Sequence, residues 1–255
     1  QLRAAAGQAD AAVNTFTALA EDATAREGLR VESWLAVSAI QRRGTNLAAA
    51  ADACRQAVAA AQSPENSRRA RRELGLMLLD QGETAEGGRV LKRLISEAPE
   101  SPMAGELQLT YAGCLQDRGM VREAAAEYQQ YLEAFTNRAG RAEAFAGRGW
   151  SLWRLGRHAE AATAFEKAAT EEPDPVRRQE YLFKVGDCYF ANEQYAMAGQ
   201  AYERLLAAYP QSERAAQALF QRAESLSRYN VGAGAVEAFQ QLPAAYPASR
   251  EAEEA

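Results

Sequence analysis

A strict repeat of 37 residues runs through most of this 255-residue sequence. It is clearest in a series of small residues, each 37 positions after the one before. A second small residue lies twelve positions further on in each copy, and a mostly bulky residue four beyond that. The three series are Ser38, Gly75, Ala112, Gly149, Gly186 and Ala223; Ala50, Gly87, Ala124, Ala161, Ala198 and Ala235; and Cys54, Leu91, Tyr128, Phe165, Tyr202 and Phe239. A fixed period without insertions indicates one structural unit used six times.

Each copy has the pattern of two amphipathic helices. Apolar residues recur at helical spacing on both sides of a turn that carries Gly or Asn, as at Gly82 and Asn192. A Pro closes most copies because it cannot continue a helix, and a Ser after it caps the next one, as in Pro210-Gln211-Ser212. Ala is abundant and β-branched residues are few, so we predict an all-α chain. The small residues would let the two helices of a copy approach closely.

These residues resemble the tetratricopeptide repeat. The fourth copy matches that motif at Phe145, Gly149, Leu152, Ala161, Phe165, Ala168 and Pro173. The resemblance implies a right-handed α-α superhelix, a solenoid of helix-turn-helix repeats. We expect a leading helix or partial repeat over 1–30, then repeats over 31–67, 68–104, 105–141, 142–178, 179–215 and 216–252, and the start of a further helix. The copies depart from the usual length of about 34 residues, and we expect the extra residues to lengthen the start of the first helix.

A narrower resemblance concerns the joints between copies. Two of them have the form Tyr-Pro-x-Ser, at Tyr209–Ser212 and Tyr246–Ser249. Such joints resemble repeats of the periplasmic TolA-binding coordinator family and of outer-membrane assembly lipoproteins. Only three of the 29 basic residues are Lys, which we attribute to a GC-rich bacterial genome. The expected setting is therefore a bacterial cell envelope, periplasmic or outer-membrane associated, with the cytoplasm as the alternative.

Composition argues against several classes of function. A net charge of −5 does not suit a nucleic-acid binder. No run of apolar residues is long enough for a membrane span. With one His and three widely spaced Cys, the chain lacks the donors of a zinc site and the partners of a His-based catalyst. We expect no metal, no cofactor and no enzyme activity, with His158 structural and Cys54 a small buried hydrophobe.

The resemblance also implies a binding surface, because the first helix of each repeat would line a concave groove. The groove residues predicted to contact a partner are Trp150, Trp153, Phe183, Phe190, Phe220, Asp187, Arg69 and Arg72. This groove would be basic near its N-terminal end and aromatic in its C-terminal half. For Trp150, Trp153 and Phe183 the alternative is packing against neighbouring helices. For the arginines the alternative is a solvated helix start balanced by Glu65 and Glu73.

The function that the resemblance implies is a non-enzymatic protein-interaction scaffold that holds a partner peptide or helix in its groove. One alternative is a structural array that associates with itself through open repeat ends. Another is a regulatory repeat region of a larger protein. The clamp with which some family members hold a chaperone's C-terminal carboxylate is absent as a set, since its first position is mostly acidic, at Glu32, Glu106, Glu143 and Glu180.

Overall fold

The computed structural model describes residues 2–136, 139–229 and 232–254, which form fourteen α-helices and no strand. The helices are α1 Leu2–Glu21, α2 Glu27–Arg43, α3 Leu47–Ala60, α4 Pro64–Gln81, α5 Thr84–Glu97, α6 Pro102–Asp117, α7 Val121–Ala134, α8 Arg141–Arg154, α9 His158–Glu171, α10 Pro175–Ala191, α11 Tyr195–Ala208, α12 Ala215–Arg228, α13 Gly232–Ala245 and α14 Arg250–Glu254. The all-α prediction is confirmed. The chain divides into two compact units, Gln1–Cys114 and Leu115–Ala255.

The first unit is built from helix pairs packed side by side. Helix α2 packs on α3 and α4 packs on α5, while α1 covers α2 and α3 joins the two pairs. Below, the first helix of a pair is called helix A and the second helix B. The core between them is apolar, with Val31, Ala57 and Ala70 in one cluster and Leu74 and Leu78 in another.

The second unit repeats the same arrangement. Helices α8 and α9, α10 and α11, and α12 and α13 form pairs, and α9 and α11 each also pack on the helix A that follows. Phe183, Tyr202 and Leu205 form one buried cluster of this unit. Leu219 and Leu242 belong to the next cluster along the chain. Each pair therefore buries its apolar faces against its neighbours, as stacked repeats must.

The small residues have the packing role that the repeat predicts. A Cβ atom added to Gly186 would lie 2.6 Å from Cζ of Tyr202, and one added to Gly149 would lie 3.0 Å from Cζ of Phe165. A Cβ on Gly87 would lie 2.9 Å from the carbonyl oxygen of Gly75. The bulky residue of helix B thus occupies the space that the missing side chain of helix A leaves free.

The turns between paired helices use left-handed backbone in two ways. Gly82 and Gly156 follow helix A with φ of 101° and 73°. Gly44 caps α2 with a negative φ, and the left-handed residue there is Thr45, at φ 62°. After α10, Asn192 is followed by Glu193, which has the left-handed conformation at φ 58°. In these two turns the left-handed residue therefore follows the Gly or Asn of the sequence pattern by one position.

The joints before α4, α6 and α10 place a Pro at the first helical position, where its missing N–H leaves no bond unmade. Ser101 Oγ accepts a hydrogen bond from the Ala104 N–H at 3.1 Å and so caps α6. Helices α2, α4, α6 and α10 begin three or four residues before the predicted copy boundaries, whereas α8 and α12 begin one residue before. The extra residues therefore lengthen most, though not all, of the first helices.

Candidate functional site

The first unit has a groove of about 770 Å³ on α2 and α4, here called the first groove. Its apolar lining is Leu35, Ala36, Ala39 and Met77. Its charged lining is Glu32, Arg42, Arg43, Arg69 and Glu73. An apolar floor with a few polar groups around it is the usual composition of a binding pocket.

Two ion pairs bridge α2 and α4 at the two ends of the first groove. Arg69 Nη1 lies 3.0 Å from Glu32 Oε1, and Arg42 Nη2 lies 2.6 Å from Asp80 Oδ2. All four side chains are more than a third exposed, and such exposed pairs stabilise a fold by only about 0–1 kcal/mol. Arg43 is exposed and forms no ion pair with any residue that the structure describes.

At the bottom of the first groove, Cys54 is buried and lies with its Sγ 3.1 Å from the Ser38 Oγ. Burial raises the pKa of its thiol above the ordinary value. The thiol therefore stays protonated at neutral pH and packs as a small hydrophobe, as the sequence predicts.

The arginine cluster at the start of α4 consists of Arg68, Arg69, Arg71 and Arg72, and two of its members pair with acidic residues of other helices. Arg71 makes a two-pronged contact with Glu97 of α5, at 2.7 and 2.8 Å, and Arg69 pairs with Glu32 of α2. These acids, and not Glu65 or Glu73 of the same helix, are the ones that the structure pairs with the cluster. Arg72 is half-buried, lies outside the lining of the first groove, and has a buried Nε without a hydrogen-bond partner among the described residues.

In the second unit the predicted aromatic residues lie on α8, α10 and α12. Phe183 is 2% exposed, with its ring centroid 5.4 Å from that of Tyr202. For this ring the packing alternative holds, because the start of the next helix A covers it and Arg214 lies 5.0 Å above it. The ring of Phe183 therefore offers no surface to a partner in this conformation.

The other four predicted aromatic residues are half-buried, each with one edge-on or tilted partner ring within its own unit. The ring pairs are Trp150 with Phe165 at 5.2 Å, Trp153 with His158 at 4.7 Å, Phe190 with Tyr195 at 5.3 Å, and Phe220 with Phe239 at 5.6 Å. Each ring both packs and keeps part of its surface exposed, so for Trp150 and Trp153 the packing contact and an accessible surface are present together.

Cations of the protein itself cover parts of this surface. Lys184 Nζ lies 5.2 Å from the ring centroid of Trp150, and the Arg228 guanidinium lies 5.5 Å from that of Phe190. Both are at cation–π distance. Sequence reasoning missed these contacts. The sequence feature that could have predicted them is a basic residue about one repeat length after the aromatic one: Lys184 follows Trp150 by 34 positions, and Arg228 follows Phe190 by 38.

Asp187, the predicted acidic member of this face, is held by two neighbours. Lys184 Nζ lies 2.7 Å from its Oδ2, and the Tyr202 hydroxyl donates to its Oδ1 at 2.8 Å. Burial, and then the charge of Asp187, raise the pKa of Tyr202, so the phenol remains a hydrogen-bond donor. These two contacts fix the orientation of the Asp187 carboxylate, and its side chain is only about 20% exposed.

His158 is half-buried against Trp153, and its Nδ1 is buried without a hydrogen-bond partner in the part of the chain that the structure describes. Within that same part, no cluster of three or more His, Cys, Asp or Glu side chains has the geometry to hold a metal ion. None of the described helices combines the length and the apolar character needed to cross a membrane.

A second cavity, of about 690 Å³, lies on the helix-B side of the second unit and was not predicted from the sequence. Its lining includes Tyr189, Met197, Glu203 and Arg204. Met197 is 42% exposed. The Arg204 guanidinium lies 3.2 Å from Glu166, so an ion pair forms part of the cavity wall.

Comparisons with known proteins identify the repeat. Two family models, both described as tetratricopeptide repeat, match residues 115–177 and 180–212. The chain contains tetratricopeptide repeats. Both matched segments lie in the second unit, and the 37-residue period and the helix pairs extend the pattern into the first. No curated protein matches the sequence at a significant level.

Several solved structures, one of them of a tetratricopeptide repeat protein, are similar in fold. MamA is 17% identical, with 70% of this chain and 91% of that chain covered at a TM-score of 0.53. A tetratricopeptide repeat protein from Parabacteroides merdae is 16% identical, with 83% of this chain and 78% of that chain covered at a TM-score of 0.54. BtubC from P. vanneervenii is 17% identical, with 81% of this chain and 91% of that chain covered at a TM-score of 0.55. At such identities the likeness shows the fold alone.

Proposed function

We propose that this chain is a non-enzymatic protein-interaction scaffold that binds an exposed segment of a partner protein in the first groove. Stacked helical repeats present extended surfaces of the kind that bind other proteins. The observation that carries the proposal is the first groove itself, which has an apolar floor, a charged rim and about 770 Å³ of space. A partner side chain that displaces water from Leu35 and Ala36 would supply the affinity, and the rim would supply the orientation.

The helix-A face of the second unit is a further contact surface in this proposal. Trp150, Trp153, Phe190 and Phe220 are half-buried there, and Asp187 lies beside them. Half-buried aromatic rings held by packing suit interface anchors, because little side-chain freedom remains to be lost on binding. Arg69 belongs to the first groove, whereas Arg72 lies outside its lining and the ring of Phe183 is buried.

A bacterial cell envelope is the proposed setting. Its support is the pair of Tyr-Pro-x-Ser joints, and one of them has a structural role here, since the Tyr246 hydroxyl donates to the carbonyl oxygen of Pro210 at 3.1 Å. The resemblance to TolA-binding coordinators and outer-membrane assembly lipoproteins stays a prediction. A partner recovered from the membrane or periplasmic fraction would support the setting, and one recovered only from the cytosol would count against it.

Capture of partners by two tryptophan variants tests the proposal. Ala39 is exposed and lines the first groove, so Ala39→Trp fills it. Ala48 is exposed on α3 outside the groove, so Ala48→Trp is the matched control. Both variants should match the wild type in circular dichroism. Fractionated extracts of the source cells would be passed over each immobilised protein, and captured proteins identified by mass spectrometry.

We expect a partner held by the wild type and by Ala48→Trp to be lost from Ala39→Trp. A partner held equally by all three proteins would place the binding site elsewhere and contradict the proposal. Capture of the chain itself, and of nothing else, would favour the self-associating array.

A further inference from the structure

We propose that the first groove selects an extended segment with two acidic side chains about 15 Å apart and apolar residues between them, the carboxylates being bound by Arg42 and Arg69. This inference rests on the proposed function and states the chemistry of the partner that the first groove accepts. It follows from where the arginines lie, how they are engaged, and what lies between them.

The spacing of the two arginines is fixed by the helices. Arg69 pairs with Glu32 at one end of the first groove, and Arg42 pairs with Asp80 at the other. Glu32 and Arg42 are ten residues apart on α2. At a rise of 1.5 Å per residue, the two ends of the groove are about 15 Å apart. Two carboxylates separated by that distance would meet one guanidinium each.

Both arginines have N–H groups to spare for a ligand. A guanidinium carries five N–H donors in a planar fork. The ion pairs engage Nη2 of Arg42 and Nη1 of Arg69. Because both pairs are exposed, a ligand carboxylate can take the place of Glu32 or Asp80 with little loss of stability, and a two-pronged contact to that carboxylate is among the stronger polar contacts. Arg43, which has no ion pair among the described residues, adds positive charge to the same end as Arg42.

The middle of the groove excludes a third acidic residue. Glu73 lines it between the two arginine ends and would repel a carboxylate placed there. The neighbouring surface is formed by Leu35, Ala36 and Ala39, which favour apolar side chains. Acidic residues at both ends and apolar ones between them is the pattern that satisfies all of these groups.

The span between the two arginines favours a short extended segment over a helix. A helical segment needs about ten residues to cover 15 Å, and isolated helices of that length are marginally stable in water. An extended chain covers 15 Å with about five residues. The inferred ligand is therefore a short extended stretch with acidic residues about five positions apart.

Selection from a phage-displayed library of random twelve-residue peptides on the 255-residue chain tests the inference without knowledge of the natural partner. The same library would be selected on Arg42→Gln/Arg69→Gln, on Ala39→Trp and on Arg55→Gln. Arg55 is an exposed arginine of the same unit, paired with Asp52 within α3 and outside the groove, and it serves as the matched control. Enriched peptides would then be synthesised and their dissociation constants measured by fluorescence anisotropy at low and high salt.

The expected result is enrichment of peptides with two acidic residues about five positions apart around apolar ones. Their affinity should fall about a hundredfold on Arg42→Gln/Arg69→Gln, at about tenfold for each arginine, be unchanged by Arg55→Gln, and weaken with added salt. Enrichment of apolar peptides without paired acids, lost only in Ala39→Trp, would overturn the inference and leave the proposed function intact. Enrichment that survives Ala39→Trp, or no enrichment on the wild type, would overturn both.

Discussion

The glycine–tyrosine contact between α10 and α11 gives the sharpest test of the packing. Tyr202 is fully buried, and its hydroxyl is held by Asp187. A methyl group at position 186 would lie 2.6 Å from Cζ of this ring. Such a separation is far below van der Waals contact, and the ring cannot swing aside without losing its hydrogen bond. We therefore expect Gly186→Ala to destabilise the second unit.

The magnitude follows from two opposing effects. Forcing an extra methyl group into a packed core destabilises by about 1–3 kcal/mol. Replacing Gly by Ala in a helix interior stabilises by up to about 1 kcal/mol. The overlap is the larger effect, so a net loss of about 1–2 kcal/mol is expected. Gly186→Leu adds more volume at the same point and should destabilise further.

Gly199 provides a matched control in the neighbouring helix. A methyl group there would lie 3.8 Å from Ser225 Cβ, which is ordinary contact. Gly199→Ala should therefore stabilise the unit by about 0.5–1 kcal/mol. Urea unfolding, with hydrogen exchange of α10 and α11 to localise the effect, measures both variants. If Gly186→Ala proved as stable as Gly199→Ala, the assigned contact between Gly186 and Tyr202 would be wrong.

Three further predictions concern charge and reactivity. Hydrogen bonds from two backbone N–H groups of the α3–α4 joint hold the pKa of Glu27 at about 2. The stabilisation by the ionised Glu27 is therefore present above the ordinary pKa of 4.5 and is lost as the pH falls towards 2. The difference in unfolding free energy between the wild type and Glu27→Gln, measured by urea titrations at several pH values, should vanish near pH 2. Cys54 and Cys188 are buried, and burial raises the pKa of Cys188 to about 12. Neither thiol should therefore react with a disulfide reagent at pH 7 until urea is added. Peptide mapping that finds rapid labelling of either thiol in the folded protein would contradict the structure. Arg141 binds Glu171 at 2.9 Å and also donates to two backbone carbonyl groups. Arg141→Gln should therefore lower the free energy of unfolding by about 1–2 kcal/mol. A change below about 0.3 kcal/mol would show that these hydrogen bonds contribute little to stability.

The 37-residue repeat alone predicts much of the fold. Small residues such as Gly149 and Gly186 have no reason to recur every 37 positions unless another part of the chain approaches them closely. Their partners Phe165 and Tyr202 stand at one fixed spacing, and both contacts are present. Helix type, pairing and close-approach points could therefore be predicted, because each depends on spacing along the chain.

The surface could be predicted only in outline. The position of Phe183 within its repeat suggested a groove residue, yet the following repeat covers it. The placement of Lys184 over Trp150, and the ion pairs of Arg42 and Arg69 across the first groove, join residues 34 to 38 positions apart. Such contacts depend on which of several nearby partners a long side chain selects. Spacing alone does not determine that choice, since exposed partners differ little in energy.

Photo-crosslinking from the first groove tests the central claim most directly. A photoreactive amino acid would be placed at position 39 in one protein and at position 48 in another, and each would be irradiated with extract of the source cells. The account predicts that one partner segment is attached from position 39 and not from position 48, and that mass spectrometry finds acidic residues flanking the attachment point. Equal labelling from both positions, or a partner attached only outside the first groove, would contradict it.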